Sequence, residues 1–295
     1  MHTGLFAAAL AYIIWGLFPL YFHQLREVPA LEVVMHRSVW SLAFIVLVLL
    51  YQRRWAWLIN VLQQPRKLAI FGTSALLLSS NWLLYVWAVN NGRVLAASLG
   101  YFINPLFNVL LGVLVLRERP RPLQWAAVGV AGLGVLWLGV AAGAPPWISL
   151  ALAASFGLYG LLKKTAPLGA LEGLALETLL LAPLAVPALA WMSTHGGTLA
   201  NATPSTWAWL LAAGPLTAVP LLLFAYGAQR IQLGTLGLLQ YLGPSLQFAL
   251  GVWVFHEPLH HNRLAGFALI WLALLIYSGE TLWRLRQNNA SPQNA

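Results

Sequence analysis

In a chain of 295 residues, 60% are hydrophobic and only 8% are charged, whereas a soluble domain carries about 25% charged residues; a water-soluble globular protein is excluded. The lack of cysteine rules out disulfides and thiolate chemistry, and a net charge of +9 in so apolar a chain reports basic cytoplasmic loops rather than a nucleic-acid surface. The composition is that of an all-α integral membrane protein, long enough for about ten spans at about 20 residues each.

In chain order, the apolar runs predict spans near 4–22, 31–51, 68–90, 95–116, 122–141, 146–162, 170–192, 206–228, 235–255 and 261–282. The first has neither a basic segment before it nor a small-residue cleavage site after it, so it reads as a retained span rather than a signal peptide. The segment 284–295 is polar, ends in QNNASPQNA and is expected to be disordered. With the N-terminus inside, the inner loops receive Arg53, Arg54, Arg66, Lys67, Arg117, Arg119, Arg121, Lys163, Lys164, Arg230, Arg284 and Arg286. The outer loops receive only Arg26, Arg93 and Arg263, and Arg37 falls within a span. This asymmetry predicts a multi-pass protein of the cytoplasmic (inner) membrane with both termini in the cytoplasm.

The two halves are alike. YFINPLFNVLLGVLVLRERP (101–120) aligns without gaps to QYLGPSLQFALGVWVFHEPL (240–259), matching Pro105 to Pro244, Gly112 to Gly251 and Glu118 to Glu257, and the ALE of 30–32 recurs at 170–172. Five spans per copy is an odd number, so the second copy enters the membrane from the opposite side. Inverted repeats are a common plan of secondary transporters, with substrate near the midplane between the halves. The expected domains are a first five-helix repeat over 1–144, a second over 145–283, and the cytoplasmic tail 284–295.

Together WGLFPLYF (15–22), EVVMHRSVWS (32–41), NWLLYVWAVN (81–90) and SLGYFINPL (98–106) resemble the RarD-type permeases of the drug/metabolite transporter superfamily. The element running from Glu118 to Gln124, followed by a Gly/Ala-rich span, resembles the end of that superfamily's EamA repeat; the second copy departs from it by lacking the glutamine. The resemblance covers nearly the whole chain. It implies ten helices in two inverted five-helix bundles, with helices 1–4 and 6–9 around a central cavity. The family name is associated with chloramphenicol, so a drug-like amphiphile stands beside small metabolites as expected cargo.

Ionisable groups inside spans are costly and need a partner, water or a function. Arg37 in span 2 and Glu177 in span 7 occupy equivalent places in the two copies. The functional expectation is a substrate anchor at Arg37 and a proton-linked or gating carboxylate at Glu177; the alternative is a structural hydrogen bond from each to a neighbouring helix. His36 is expected either to bind substrate and shuttle protons or to cap a carbonyl. Tyr101, Asn104 and Asn108 share one helical face, as do Gln240 and Gln247 in the other copy, each stripe beside a proline that frees a carbonyl. These stripes predict cavity lining, with interhelical hydrogen bonding as the alternative. Asn81, Trp82 and Tyr85 of span 3 and Trp15 of span 1 complete the expected substrate-binding set.

HEPLHH (256–261) spells H-E-x-x-H, which on one helix would serve a zinc protease. Pro258 interrupts that helix, and the equivalent stretch RERPR (117–121) keeps only the glutamate. Glu118 and Glu257 are therefore expected to mark structural corners, capping the next helix or tying the loop, and no metal or cofactor is expected. No G-x-x-x-x-G-K-[ST] run is present, which excludes a P-loop ATPase. The expected function is a non-ATP-driven, non-enzymatic transporter, with an intramembrane zinc protease or a non-transporting receptor or scaffold as alternatives. Its expected partners are a small-molecule substrate and the lipid bilayer, not nucleic acid. The small-residue spans 5 and 10 are expected to pack on other helices and offer a surface for a homodimer.

Overall fold

The computed structural model describes residues 2–25, 27–53, 55–90, 94–142, 146–195, 202–255 and 261–290, and among these the regular structure is entirely helical. The first predicted span is divided into α1 (His2–Gly16) and α2 (Phe18–Gln24). Pro19, in the first turn of α2, has no N–H, so Trp15 O loses its helical donor and the chain breaks at Leu17. α3 (Ala30–Gln52) is stopped by Arg53, which turns left-handed at φ 51°. A short α4 (Ala56–Leu62), not foreseen, leads to α5 (Pro65–Asn90). Then follow α6 (Val94–Leu114), α7 (Pro122–Ala142), α8 (Pro146–Thr165), α9 (Ala170–Thr194) and α10 (Pro204–Ala228). Proline opens α5, α7, α8 and α10, at the position where its missing N–H would be unpaired anyway.

The ninth predicted span is also divided. α11 (Leu233–Leu239) and α12 (Leu242–Trp253) meet at Gln240 and Tyr241, because Pro244 denies Gln240 O its helical donor and Gly243 N takes that carbonyl at 3.1 Å. α13 (His261–Ala290) corrects the expectation of a disordered tail over 284–290. The stretch 280–289, ETLWRLRQNN, holds no Gly or Pro and several good helix formers, so the helix continues beyond its apolar part.

Among the described residues, six segments are long and apolar enough to cross a bilayer: Thr3–Gln24, Leu31–Gln52, Pro65–Tyr85, Pro122–Val140, Ala170–Thr194 and Pro204–Ala228. Gly100–Leu114 and Leu264–Tyr277 are shorter apolar helices. Leu47, Leu136, Val140 and Leu275 lie exposed on the outside, a surface suited to lipid and unsuited to water.

α3 lies against α9 and α10, α1 against α10 and α12, α6 against α8 and α11, α5 against α8 and α9, and α7 against α13. In the middle, rings from α1, α8 and α10 pack together: Tyr12, Trp15, Phe156, Tyr159 and Phe224, the last two stacked at 5.8 Å. A second core joins α7 to α13 through Ala127, Ala131, Phe267, Ile270 and Ala273. There the helices approach so closely that a Cβ on Gly266 would meet Leu138 Cγ at 2.5 Å, and one on Gly134 would meet Gly266 O at 3.0 Å. The small-residue faces of spans 5 and 10 thus meet each other within one chain.

Gly266→Val is expected to force α7 and α13 apart, costing about 1–3 kcal/mol and lowering the melting temperature of the detergent-solubilised protein. Gly129→Ala, whose new methyl would meet nothing within 4 Å, is expected to be neutral or stabilising by up to about 1 kcal/mol. Equal heat resistance of the parent and the Gly266→Val protein would refute this account of the interface.

Candidate functional site

Arg37 is buried on α3, at 5% exposure. Its Nε donates to Thr217 Oγ1 of α10 at 2.9 Å, and its guanidinium carbon lies 3.9 Å from the centre of the Trp82 ring on α5. Phe18 and Phe22 of α2 approach at 5.6 and 5.9 Å. From Trp82 the aromatic row continues edge-on to Tyr85 at 6.0 Å and then to Tyr101 of α6 at 5.7 Å. The two terminal nitrogens of Arg37 donate to no described residue, yet they are not sealed off from solvent-sized space. Four of the residues singled out from sequence, Arg37, Trp82, Tyr85 and Tyr101, therefore form one cluster. Thr217, Phe18 and Phe22 were not singled out; Thr217 carries a readable signal as a lone hydroxyl between Pro215 and Pro220 in an apolar helix.

His36 points elsewhere, since neighbours on a helix are turned about 100° apart. Its Nδ1 accepts from Trp40 Nε1 at 3.0 Å, its ring meets Trp207 edge-on at 5.9 Å, and its buried Nε2 has no hydrogen-bond partner among the described residues.

The amide stripe divides. Asn81 Nδ2 donates to Leu152 O at 3.0 Å and Ser155 Oγ at 2.9 Å, tying α5 to α8. Asn104 Nδ2 reaches Ala153 O at 3.4 Å, and Asn108 Nδ2 donates to Asn104 Oδ1 at 3.0 Å and to Gln240 Oε1 at 3.5 Å. Asn104, Asn108 and Gln240 thus form one buried network joining α6, α8 and α11. Gln247 does not join it: this exposed side chain donates to Trp15 O at 3.3 Å, the carbonyl that Pro19 leaves without a helical donor. Trp15 itself packs in the central aromatic cluster.

Glu177 is buried on α9, and its partner corrects the loop count. Lys163, counted with the solvated inner loops, lies 2.7 Å from Glu177 Oε2, with both side chains 2% exposed. The approach is an ion pair by distance, without the angles of a directed hydrogen bond. Ser74 Oγ of α5 donates to Glu177 Oε1 at 2.5 Å, and Phe71 and Tyr159 flank the ammonium at 5.6 and 5.5 Å. Lys163 sits in the last turn of α8 and turns inward, toward Phe71 of α5 and Glu177 of α9. Arg37 and Glu177 are thus held in separate clusters.

The corner at Glu118 is also corrected. Arg117 turns left-handed at φ 56° and Glu118 N returns to Gly112 O at 2.9 Å, a left-handed closure of the end of α6. The carboxylate so aimed does not cap the next helix. It accepts from Leu233 N at 2.7 Å and Gly234 N at 3.1 Å, capping α11 in the other half, with Lys164 Nζ at 4.0 Å. Lys164 also donates to Ala228 O and Ile231 O. α7 is capped instead by Gln124, whose Oε1 accepts from Arg121 N at 2.9 Å. Glu257, His256 and His260 lie outside the described residues.

The sequence pattern of the EamA-like transporter family matches this chain twice, over residues 2–140 and 145–279. The chain belongs to that family. Protein RarD of Streptomyces exfoliatus is 48% identical over 290 residues, covering 98% of this chain and 92% of that protein. The chloramphenicol-sensitive protein RarD of Pseudomonas aeruginosa is 32% identical over 292 residues, covering 96% of each. A solved crystal structure superposes with a TM-score of 0.69 at 20% identity, covering 92% of this chain and 96% of that one; this is a likeness of fold. The expected RarD-type resemblance holds, and the family is one of transporters.

Within this transporter family member, the Lys163–Glu177 pair gives a sharp stability test. Removing either partner strands a buried charge at a cost of about 3–5 kcal/mol, whereas removing both is far milder. Glu177→Gln and Lys163→Met are each expected to lower the melting temperature markedly, and the double variant to recover most of the loss. Additive losses in the double variant would show that the two charges do not depend on each other.

Proposed function

We propose that the protein is a secondary transporter that moves a small metabolite or amphiphilic drug-like molecule across the cytoplasmic membrane by alternating access. The observation that carries this is Arg37: a buried guanidinium, held by Thr217 from the other half of the chain, whose terminal nitrogens serve no group among the described residues. In a transporter family, an intramembrane cation at the seam between halves is where cargo is expected. The proposed binding set is Arg37, Trp82, Tyr85 and Tyr101, with Trp15, Asn81, Asn104, Asn108, Gln240 and Gln247 supporting the surrounding helices and His36 and Glu177 as sites of proton coupling or gating. The chloramphenicol in one relative's name makes that compound one to include among the molecules tested.

The proposed architecture is two inverted five-helix repeats, 1–144 and 145–283. The packing supports it, because it maps onto itself when the halves are exchanged. With α1 equivalent to α8, α3 to α9, α5 to α10, α6 to α11 and α12, and α7 to α13, the pairing of α1 with α10 becomes that of α8 with α5. The pairing of α3 with α10 becomes that of α9 with α5, and that of α6 with α8 becomes that of α12 with α1. Both termini are placed in the cytoplasm by the basic loops, an assignment that still holds with Lys163 removed from the count. A homodimer through spans 5 and 10 would use their outer faces, where Leu133, Leu136 and Leu275 are exposed.

Purified protein in liposomes is expected to carry cargo found by metabolite-wide uptake and export profiling of a deletion strain, and Arg37→Ala to lose at least about tenfold in flux, the scale of one lost charged contact. Undiminished flux in a normally folded Arg37→Ala protein would remove the site. An imposed pH gradient is expected to change flux in the parent and not in Glu177→Gln; flux indifferent to the gradient, with Glu177→Gln fully active, would remove the coupling role. The absence of cysteine makes topology directly testable: single cysteines at Arg119 and Thr203 are expected to react with an impermeant thiol reagent from opposite sides of the membrane.

A further inference from the structure

We infer that the cargo is an organic oxyanion, a carboxylate or a phosphate ester on an apolar or aromatic body, bound end-on by the terminal nitrogens of Arg37; this rests on the transporter function proposed above. Arg37 has no counter-ion beside it among the described residues. Lys163 is neutralised by Glu177 at 2.7 Å and Glu280 by Arg121 at 3.6 Å, whereas no described carboxylate lies within ion-pair distance of Arg37. The whole chain has no aspartate and seven glutamates. Of these, Glu118 is spent on the backbone of α11, Glu177 on Lys163 and Glu280 on Arg121, and the buried Glu32 of α3 lies beyond ion-pair distance of Arg37. Burying a lone ion costs several kcal/mol, and the Trp82 face at 3.9 Å returns about 2 kcal/mol or somewhat more, only part of that cost. A bound anion supplies the rest.

The geometry also selects which anions. Trp82 covers a flat face of the guanidinium and Thr217 takes Nε, so what remains is the planar edge with its two terminal N–H groups. That edge matches the paired oxygens of a carboxylate or phosphate. The Tyr85 and Tyr101 hydroxyls, next in the row, make no hydrogen bond among the described residues and are not sealed off. The cluster therefore offers donors without an opposing carboxylate. A cationic cargo would find the wrong sign, and a neutral one such as chloramphenicol would leave the Arg37 charge unbalanced. Phe18, Phe22 and the tyrosine rings provide an apolar surface for the body of the cargo.

The test uses the full chain in detergent at neutral pH and follows thermal unfolding with phenylacetate, phenyl phosphate, phenylacetamide, phenethylamine and chloramphenicol. Phenylacetate or phenyl phosphate is expected to raise the melting temperature by about 2–4 °C near saturation, and the amide, the amine and chloramphenicol not to. Which anion acts tells a carboxylate site from a phosphate site. Arg37→Gln, checked for fold by circular dichroism, is expected to abolish the shift, and Arg37→Lys to weaken the anion about tenfold through loss of the fork. Equal stabilisation by the amide, amine or chloramphenicol, retention of the anion effect in Arg37→Gln, or no response to either anion up to its solubility limit would each overturn the inference. Flux carried by a neutral or cationic cargo would overturn it while leaving the transporter function standing. Anion binding without flux of any cargo would do the reverse.

Discussion

Water does not enter the hydrocarbon core of a bilayer, so a polar group there must be answered by the protein, by a water-lined cavity or by what the protein binds. The interior of this chain is arranged by that demand. The Lys163–Glu177 pair, with Ser74 on the second carboxylate oxygen, holds α5, α8 and α9 at one point. Asn81 fixes α5 to the α8 backbone, and Asn104, Asn108 and Gln240 join α6, α8 and α11. Little of this is strong individually, since interhelical hydrogen bonds in membranes average well under 2 kcal/mol. Their effect is positional: each leaves few alternative registers for the helices it links.

Prolines extend the same logic to the backbone. Pro19 and Pro244 each withdraw a donor, and in each case the chain opens into two helices. The two vacated carbonyls are treated differently: Trp15 O is taken by Gln247 from the other half, and Gln240 O by the nearby Gly243 N. Pro105, by contrast, lies inside an unbroken α6. The equivalent prolines of the two halves thus have unequal consequences, because α6 continues as one rod where α11 and α12 part.

The helices were legible because apolar runs of bilayer length leave little choice, and the likeness of the halves was visible wherever prolines and glycines align. Arg37 stands out as a charge in an apolar span, and Trp82, Tyr85 and Tyr101 as members of aromatic or polar faces on other spans; only the fold shows that the four form one cluster. Lys163 was missed for a physical reason: a lysine in a helix's last turn looks solvated in one dimension, and only the placement of α5 and α9 turns it inward. Gln247 was misassigned because periodicity specifies a face and not which neighbour that face meets. Sequence offset marks Glu118 as a corner residue but could not reveal that the amides it accepts lie 115 residues away.

That last distance bears on how the molecule assembles. The left-handed turn at Arg117 aims the Glu118 carboxylate as soon as α6 has formed, but the amides it accepts belong to Leu233 and Gly234. During synthesis the first half is complete while this carboxylate still waits for its partner. Contacts so far apart in sequence close late and slowly. The clasp between Glu118 and α11 is therefore a record of completion: it forms only once the second half has been made and has docked against the first.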